Sequence, residues 1–123
     1  MEKLTIAEFE LMEAVWQTKE PIDTIKIIEN INNKKDWKKT TVLTILSKLA
    51  QKGFISATKS GKSYEYTILI KKEDYVKKET QSFLQKMYNN SVKNLIASLY
   101  DNNDICDNDL EDIYELLNKD KGR

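Results

Sequence analysis

The chain has 123 residues, of which 40% are apolar and 33% are charged, and its formal net charge is zero. This length suits one compact domain, or a small domain with a dimerising arm, and the modest apolar content favours oligomerisation. A single cysteine and the absence of histidine exclude an internal disulfide and a Cys/His metal site, and no apolar run is long enough to span a membrane, so we expect a cytoplasmic protein without a cofactor.

Two helices are predicted in the first third of the chain. The first begins at Thr5, where Thr5 and Glu8 have the spacing of a capping box, and it ends before Glu20-Pro21, because a proline disfavours helix at the preceding residue. Its predicted apolar face comprises Ile6, Phe9, Met12, Val15 and Trp16. Asp23 is the expected N-cap of the second helix. The buried side of that helix is expected to comprise Ile25, Ile28 and Ile31, with Ile27 flanking. Trp37, in the following loop, is expected to pack against the domain.

The third predicted helix runs from Lys39 to Gly53 and has two different faces. An apolar stripe at i, i+3, i+4, i+7 spacing comprises Val42, Ile45, Leu46 and Leu49. The side chains on the opposite face are mostly short and polar, and none is acidic. Such a face fits the major groove of B-form DNA. The expected DNA contacts from this region are Lys38, Lys39, Thr40, Thr41, Leu43, Thr44 and Lys48. Because Arg123 is the only arginine, this helix offers no bidentate arginine–guanine contact, and we expect an A/T-rich site.

A β-hairpin is predicted after this helix, since two alternating runs, residues 54–59 and 64–70, flank a glycine-containing turn. Lys59 and Lys62 lie at its tip, where they can contact a phosphate backbone, although an ordinary hairpin with a soluble turn is the alternative. Residues 34–72 carry ten lysines against two acidic residues, a local charge of +8. A helix followed by a basic hairpin is the layout of a winged helix and indicates double-stranded DNA rather than RNA as the partner.

Three amphipathic helices are predicted after residue 72, in a segment with seven basic and eleven acidic residues. Helices of this kind cannot bury their apolar stripes alone, so we expect a homodimer. The predicted dimer interface comprises Phe83, Met87, Val92, Leu95, Ile96, Leu99, Leu110, Ile113, Leu116 and Leu117. The predicted fold is therefore mainly α with a small β wing, with a winged helix-turn-helix domain at 1–72 and a helical dimerisation domain at 73–123.

Three stretches resemble the penicillinase repressor family, the BlaI/MecI/CopY group. The run from Glu8 to Trp16 is similar to the E-W-x-V-M-x-x-x-W helix of that family. The run from Thr41 to Ile55 resembles its recognition-helix signature, and residues 64–66 its aromatic wing strand. The resemblance covers essentially the whole chain. It implies a homodimeric winged-helix repressor on a dyad-symmetric operator, with a role in antibiotic resistance.

The resemblance also implies how repression is relieved. In the β-lactam-responsive branch a membrane sensor-protease pathway leads to cleavage of the repressor, at a pair that corresponds to Ser98-Leu99 here. In the copper-responsive branch a Cys-x-Cys cluster binds metal, whereas Cys106 is alone here. A basic residue common in the family's recognition helix is replaced by Leu43, which is either a thymine-methyl contact or an edge residue. A metal-responsive repressor is the alternative within the family, although the lone Cys106 does not form the cluster of the copper-responsive branch.

A protein–protein docking module is the alternative from another class. A winged helix used in this way would keep its function when Thr41 and Thr44 are replaced by alanine, whereas a DNA-reading helix would lose sequence preference. An enzyme is not expected, because the sequence offers no nucleophile–base pair and no glycine-rich phosphate loop. We expect neither a small-molecule substrate nor direct membrane insertion.

Overall fold

The computed structural model describes residues 1–121, and the side chains of residues 1–119. In chain order the elements are α1 (Ile6–Gln17), β1 (Ile22–Asp23), α2 (Thr24–Asn32), α3 (Lys39–Gln51), β2 (Ile55–Ser60), β3 (Ser63–Ile68), α4 (Lys72–Tyr88), α5 (Val92–Asp101) and α6 (Asp107–Lys121). The fold is mainly helical with one small sheet, which confirms the predicted fold class.

The sheet contains β1, β3 and β2 in that spatial order, and both pairs are antiparallel. Ser60 pairs with Ser63, so Gly61 and Lys62 form a two-residue turn. Gly61 has a φ of +64°, a left-handed conformation that a glycine adopts without steric cost at the first position of such a turn. The predicted hairpin is therefore present, and we call β2, β3 and this turn the wing. Strand β1 was not predicted, because two residues are too few to give a sequence pattern.

The chain divides into two compact units, one covering residues 1–79 and the other beginning at Thr80. The core of the first unit consists of Leu4, Leu11, Met12, Ala14, Val15, Ile22, Ile27, Ile31, Val42, Leu46, Leu49, Phe54, Ile55, Tyr66 and Tyr75. Trp37 packs against this core, as predicted. The predicted domain boundary at residue 72 stays a prediction.

Two isoleucines predicted to be buried lie on the exposed side of their helices. Ile6 is 82% exposed and Ile25 is 65% exposed. The buried stripe of α1 consists mainly of Glu8, Leu11, Met12 and Val15, and that of α2 of Thr24, Ile27 and Ile31, with Ile28 half-buried. Both stripes keep the i, i+3, i+4, i+7 spacing, but each includes one polar residue. The other residues of the two predicted faces are buried or half-buried, so counting apolar residues alone misplaced only Ile6 and Ile25.

The buried Glu8 carboxylate joins the start of α1 to the end of α3. The predicted capping box is present, since Glu8 accepts a hydrogen bond from the Thr5 amide at 2.8 Å and its own amide donates to the Thr5 hydroxyl at 3.2 Å. Lys52 Nζ donates to Glu8 Oε1 at 2.6 Å. Burial by itself raises the pKa of Glu8, but the hydrogen bonds from Lys52 and Thr5 outweigh it and hold that pKa below its ordinary value.

Tyr75, in the first turn of α4, is the aromatic anchor of the first unit. Its hydroxyl accepts a hydrogen bond from the Leu4 amide and donates one to Glu79, both at 2.9 Å. Its ring lies with centroid separations of 5.4, 5.9 and 6.4 Å from Phe54, Phe9 and Trp16. Burial is the main cause that raises the pKa of Tyr75. The beginning of α4 thus belongs to the core of the first unit.

The second unit has no comparable interior in the part that the structure describes. No side chain from Thr80 to Lys119 is buried, although many are apolar. Asn89 and Asn90 have positive φ values of 52° and 67° and end α4, and Ser91 caps α5 by accepting from the Asn94 amide at 3.1 Å. Within residues 1–121, no helix is long and apolar enough to cross a membrane.

Candidate nucleic-acid interface

Helix α3 separates an apolar face from a polar one. Val42, Leu46 and Leu49 are buried in the first-unit core. On the other side, Thr40, Thr41, Thr44 and Lys48 are exposed. The buried residues fix one side of the helix, and the exposed side presents three threonines, a lysine and no acidic residue, which suits insertion into a major groove.

The start of α3 has no side-chain cap. Lys38 occupies the N-cap position and makes no capping hydrogen bond, and the first turn contains no acidic residue. By contrast, Thr5 and Asp23 cap α1 and α2 with side-chain oxygens. The first amides of a helix have no acceptor within the helix, and together with the helix dipole they favour an anion such as a phosphate oxygen.

Thr44 uses its hydroxyl proton within the helix. Its Oγ1 donates to the carbonyl oxygen of Thr40 at 2.9 Å. A threonine hydroxyl bonded in this way retains lone pairs for a donor outside the helix, together with its methyl group. Thr44 can therefore accept from a base amino group or contact a thymine methyl, while it does not donate.

The lysines predicted to contact DNA, on α3 and on the wing, have no partners inside the described protein. In that part of the chain, neither ion pairs nor hydrogen bonds involve the side chains of Lys38, Lys39, Lys48, Lys59 and Lys62. Three lysines elsewhere in the first unit are paired, namely Lys35 with Glu10, Lys52 with Glu8 and Lys72 with Glu13. The unpaired lysines lie on the start and outer side of α3 and on the wing. They keep their charge available for a polyanion.

Leu43 lies on the flank of α3 that faces the wing. It is 37% exposed and lines two surface cavities that also include Tyr64. Tyr64 itself is 44% exposed and pairs with Lys59 in the hairpin register. Sequence reasoning missed Ile25 and Tyr64 at this surface. The spacing of Thr24, Ile27, Ile28 and Ile31 could have placed Ile25 outside, whereas no local signal places Tyr64 beside Leu43.

The predicted dimer-interface residues all lie on helices α4, α5 and α6, in the second unit. Phe83, Met87, Val92, Leu116 and Leu117 are exposed, whereas Leu95, Ile96, Leu99, Leu110 and Ile113 are half-buried. Ser98 and Leu99, the expected cleavage pair, are half-buried within α5. The Ser98 carbonyl accepts a hydrogen bond from the Asn102 amide at 3.2 Å, so the peptide is part of the helix.

Cys106 is an exposed thiol in a local hydrogen-bonded turn. Its amide donates to Asp109 Oδ2 at 2.9 Å and its Sγ to the same oxygen at 3.3 Å. The amide hydrogen bond is the main cause that lowers the pKa of Asp109. Among the residues that the structure describes, no group of three or more histidine, cysteine, aspartate or glutamate side chains is placed to hold a metal ion.

Comparison with known proteins gives consistent matches. The sequence model of a family described as Penicillinase repressor matches residues 4–119. The methicillin resistance regulatory protein MecI of Staphylococcus aureus strain N315 is 30% identical over 117 residues, which cover 95% of this chain and 94% of MecI. The penicillinase repressor of Bacillus licheniformis is 26% identical over 121 residues, which cover 98% of this chain and 94% of the repressor.

Two solved structures resemble part of the chain. One is the solution structure of Bacillus licheniformis BlaI, in monomeric form and in complex with the blaP half-operator, with a TM-score of 0.50 and 30% identity over 60% of this chain and 89% of that one. The other is the DNA-binding domain of the repressor BlaI, with a TM-score of 0.52 and 31% identity over 61% of this chain and 94% of that one. The solved structures therefore cover less of this chain than the sequence matches do.

Proposed function

This chain belongs to the penicillinase repressor family, and from that premise we propose that it is a transcriptional repressor that binds a dyad-symmetric operator as a homodimer. The observation that carries the proposal is the combination of an acid-free outer face on α3 with an uncapped helix start. Operator binding by the relative BlaI, solved with a half-operator, supports the same use of this surface. The chain therefore acts by occupying DNA and performs no catalysis.

In the proposed complex, α3 enters the major groove with its N-terminal half. Thr40, Thr41 and Thr44 face the base edges, where their methyl groups suit thymine and their oxygens suit base amino groups. Since α3 contains no arginine, guanine is not read through a bidentate guanidinium. The chain's only arginine, Arg123, lies outside the described residues. This residue set favours an A/T-rich operator.

The phosphate contacts of the proposed complex come from two places. Lys38 and Lys39 flank the uncapped start of α3, and Lys59 and Lys62 lie on the wing. Each phosphate neutralised by such a lysine releases counterions, and the logarithm of the binding constant falls with the logarithm of salt concentration by about 0.9 per phosphate. With Lys48 as a fifth cation, one subunit would contribute a slope of about −4 to −5.

The second unit supplies the proposed dimer interface. No described side chain from Thr80 to Lys119 is buried, while Met87 is 67% exposed and Leu116 is 62% exposed. Amphipathic helices that leave their apolar side chains in water need a further surface, and a second copy of the chain supplies one. Two subunits held together place two α3 helices on two half-sites.

Fluorescence anisotropy with DNA from upstream of the chain's own gene tests the DNA-binding proposal. We expect a salt-sensitive binding curve that is tighter for this DNA than for a shuffled fragment of the same composition. Replacement of Thr41 and Thr44 by alanine should reduce that discrimination by about 1–3 kcal/mol for each base that is no longer read, and leave non-specific binding in place.

Gln51→Ala is the matched control for this experiment, because Gln51 is exposed in the last turn of the same helix. It should leave the discrimination unchanged. If the wild type binds both DNA fragments equally, the repressor proposal fails. If the double alanine variant retains full discrimination, α3 is not the reading element and the docking-module alternative gains support.

Relief of repression by cleavage at Ser98-Leu99 completes the proposal, with a membrane sensor-protease pathway that responds to β-lactam stress. Because this pair lies within α5, a protease would cut it only after local opening of that helix. Mass spectrometry of the protein from cells exposed to a β-lactam should detect a fragment that ends at residue 98. An intact chain in cells whose repressed gene has been induced would contradict this mode of relief.

A further inference from the structure

A groove on the first unit lies between the start of α2, the start of α3 and the wing. Its cavity volume is about 420 Å³, which lies within the range of small-molecule sites. Ile25 and Ile28 of α2, Leu43 of α3 and Tyr64 of β3 line it with apolar surface. None of the roles assigned above requires a concave apolar surface at this place.

The apolar lining of the groove is accessible to solvent. Ile25, Leu43 and Tyr64 are 65%, 37% and 44% exposed, and Ile28 is half-buried. Single exposed apolar side chains are common on protein surfaces and require no explanation. Several that converge on one concave surface are typical of a binding site, because an occupant that covers them removes their apolar area from water.

The charges at the rim favour an anionic occupant. Lys39 and Lys62 both line the groove, and within the described part of the chain neither ammonium group makes an ion pair or a hydrogen bond. Lys39 is also the first residue of α3, whose first turn contains no acid and whose dipole adds positive potential. Glu29 is the acidic residue of the lining. The groove therefore combines an apolar floor with a net positive rim.

We propose that this groove binds a small amphipathic anion, with an apolar body against Ile25 and Leu43 and a carboxylate between Lys39 and Lys62. Tyr64 provides an aromatic face against which a planar ring can pack. Because Lys39, Leu43 and Lys62 also belong to the proposed DNA-binding surface, such a ligand competes with the operator. This competition rests on the proposed function, whereas binding of the ligand to the free protein does not.

Naphthalene-2-carboxylate serves as the probe and its neutral carboxamide as the matched ligand, each titrated into the full chain by isothermal calorimetry and two-dimensional NMR. We expect shifts in the amide signals of Ile25, Leu43 and Tyr64. The carboxamide should bind at least about threefold more weakly, which corresponds to one or two exposed charge interactions. Equal affinity for both compounds, or shifts confined to residues outside the groove, would overturn the proposal.

Two variants locate the site. Ile25→Glu adds a carboxylate to the apolar floor and should weaken naphthalene-2-carboxylate binding at least about tenfold, because the two carboxylates repel and the floor becomes polar. Ile6→Glu makes the same change at an isoleucine that is 82% exposed and does not line the groove, so binding should stay at the wild-type level. Circular dichroism checks that both variants are folded. Equal effects of the two variants would rule out this groove as the site.

Addition of DNA separates the possible occupants. Saturating naphthalene-2-carboxylate should raise the dissociation constant of an operator fragment, and raise it less in Ile25→Glu. If the groove signals shift with DNA but not with the probe, DNA is the occupant and the small-anion proposal fails. If no DNA fragment binds selectively but the probe binds with the variant pattern above, the repressor proposal fails while the ligand site stands.

Discussion

Residues 1–79 and the segment from Thr80 onward differ in how their apolar side chains are placed. The first unit buries fifteen apolar or aromatic side chains in one core. In the described part of the second, no side chain from Thr80 to Lys119 is buried. The contrast indicates that the first unit folds on its own interior. If the second associates as proposed, its stability should depend on protein concentration.

Phe54→Ala should weaken the first unit most. Phe54 is fully buried and its ring lies in edge contact with Tyr75 at a centroid separation of 5.4 Å. Removal of such a ring lowers the free energy of unfolding by about 3–5 kcal/mol. Urea denaturation followed by tryptophan fluorescence measures the free energy of unfolding of the first unit, because the only two tryptophans, Trp16 and Trp37, both lie in that unit.

Phe83→Ala is the matched control, because Phe83 is 47% exposed and lies in the second unit. The tryptophan-detected free energy of unfolding should change by less than about 1 kcal/mol at the same protein concentration. Similar decreases in the two variants would contradict the contrast between a core-forming unit and a partner-dependent one.

Leu95→Glu combined with Ile96→Glu should remove the proposed partner of the second unit. Two charges in an apolar interface yield a monomer, and affinity for a full dyad operator then falls at least about 100-fold, since the two half-sites are no longer held together. Light scattering measures the mass of the protein in solution, and fluorescence anisotropy measures its affinity for the operator. The tryptophan-detected unfolding of the first unit should still be observed.

Asn94→Glu combined with Ala97→Glu adds the same two charges to exposed positions of α5. This pair should leave both the dimer and operator affinity close to wild type. A dimer that survives in the Leu95 and Ile96 variant, or a monomer in the control, would show that the interface lies elsewhere.

The features that sequence reasoning predicted are those with a local pattern. The two faces of α3, the capping box at Thr5 and the hairpin at Gly61 each depend on residues a few positions apart. The position of Ile25 was predicted wrongly, because Thr24 occupies a place in the buried stripe. Two other features depend on residues that are distant in sequence. Leu43 lies beside Tyr64 of the wing, and Lys52 is paired with Glu8. Such long-range pairings leave no periodic signal in a single chain.

Lys52→Met tests how much a long-range ion pair contributes to the first unit. The side chain of Glu8 is 5% exposed, so removal of Lys52 leaves a buried carboxylate without its cation and should lower the free energy of unfolding by about 2 kcal/mol. Lys72→Met removes an exposed pair with Glu13 at 3.2 Å and should cost less than about 0.5 kcal/mol. If urea denaturation shows equal decreases in the free energy of unfolding for the two variants, burial of the ion pair does not determine its contribution.

An effect smaller than that of Lys52→Met, and one that depends on pH, is expected at the same pair. Glu8→Gln keeps a side chain that can complete the capping box but removes the charge that Lys52 stabilises. At pH 7 this change should lower the free energy of unfolding by about 1 kcal/mol. Urea denaturation of both proteins at pH 7 and at several values below 4.5 measures how that difference varies with pH.

The direction of the pH effect follows from the lowered pKa of Glu8. Its ordinary value is 4.5, and the pKa in the folded state lies below it, so the unfolded chain binds a proton more readily than the folded one. The stabilisation from the carboxylate is therefore fully present above pH 4.5 and is lost as the pH falls through the folded-state pKa. The difference between wild type and Glu8→Gln should narrow in that range. A difference that stays constant or widens on acidification would show that the Lys52 pair does not stabilise the charged form of Glu8.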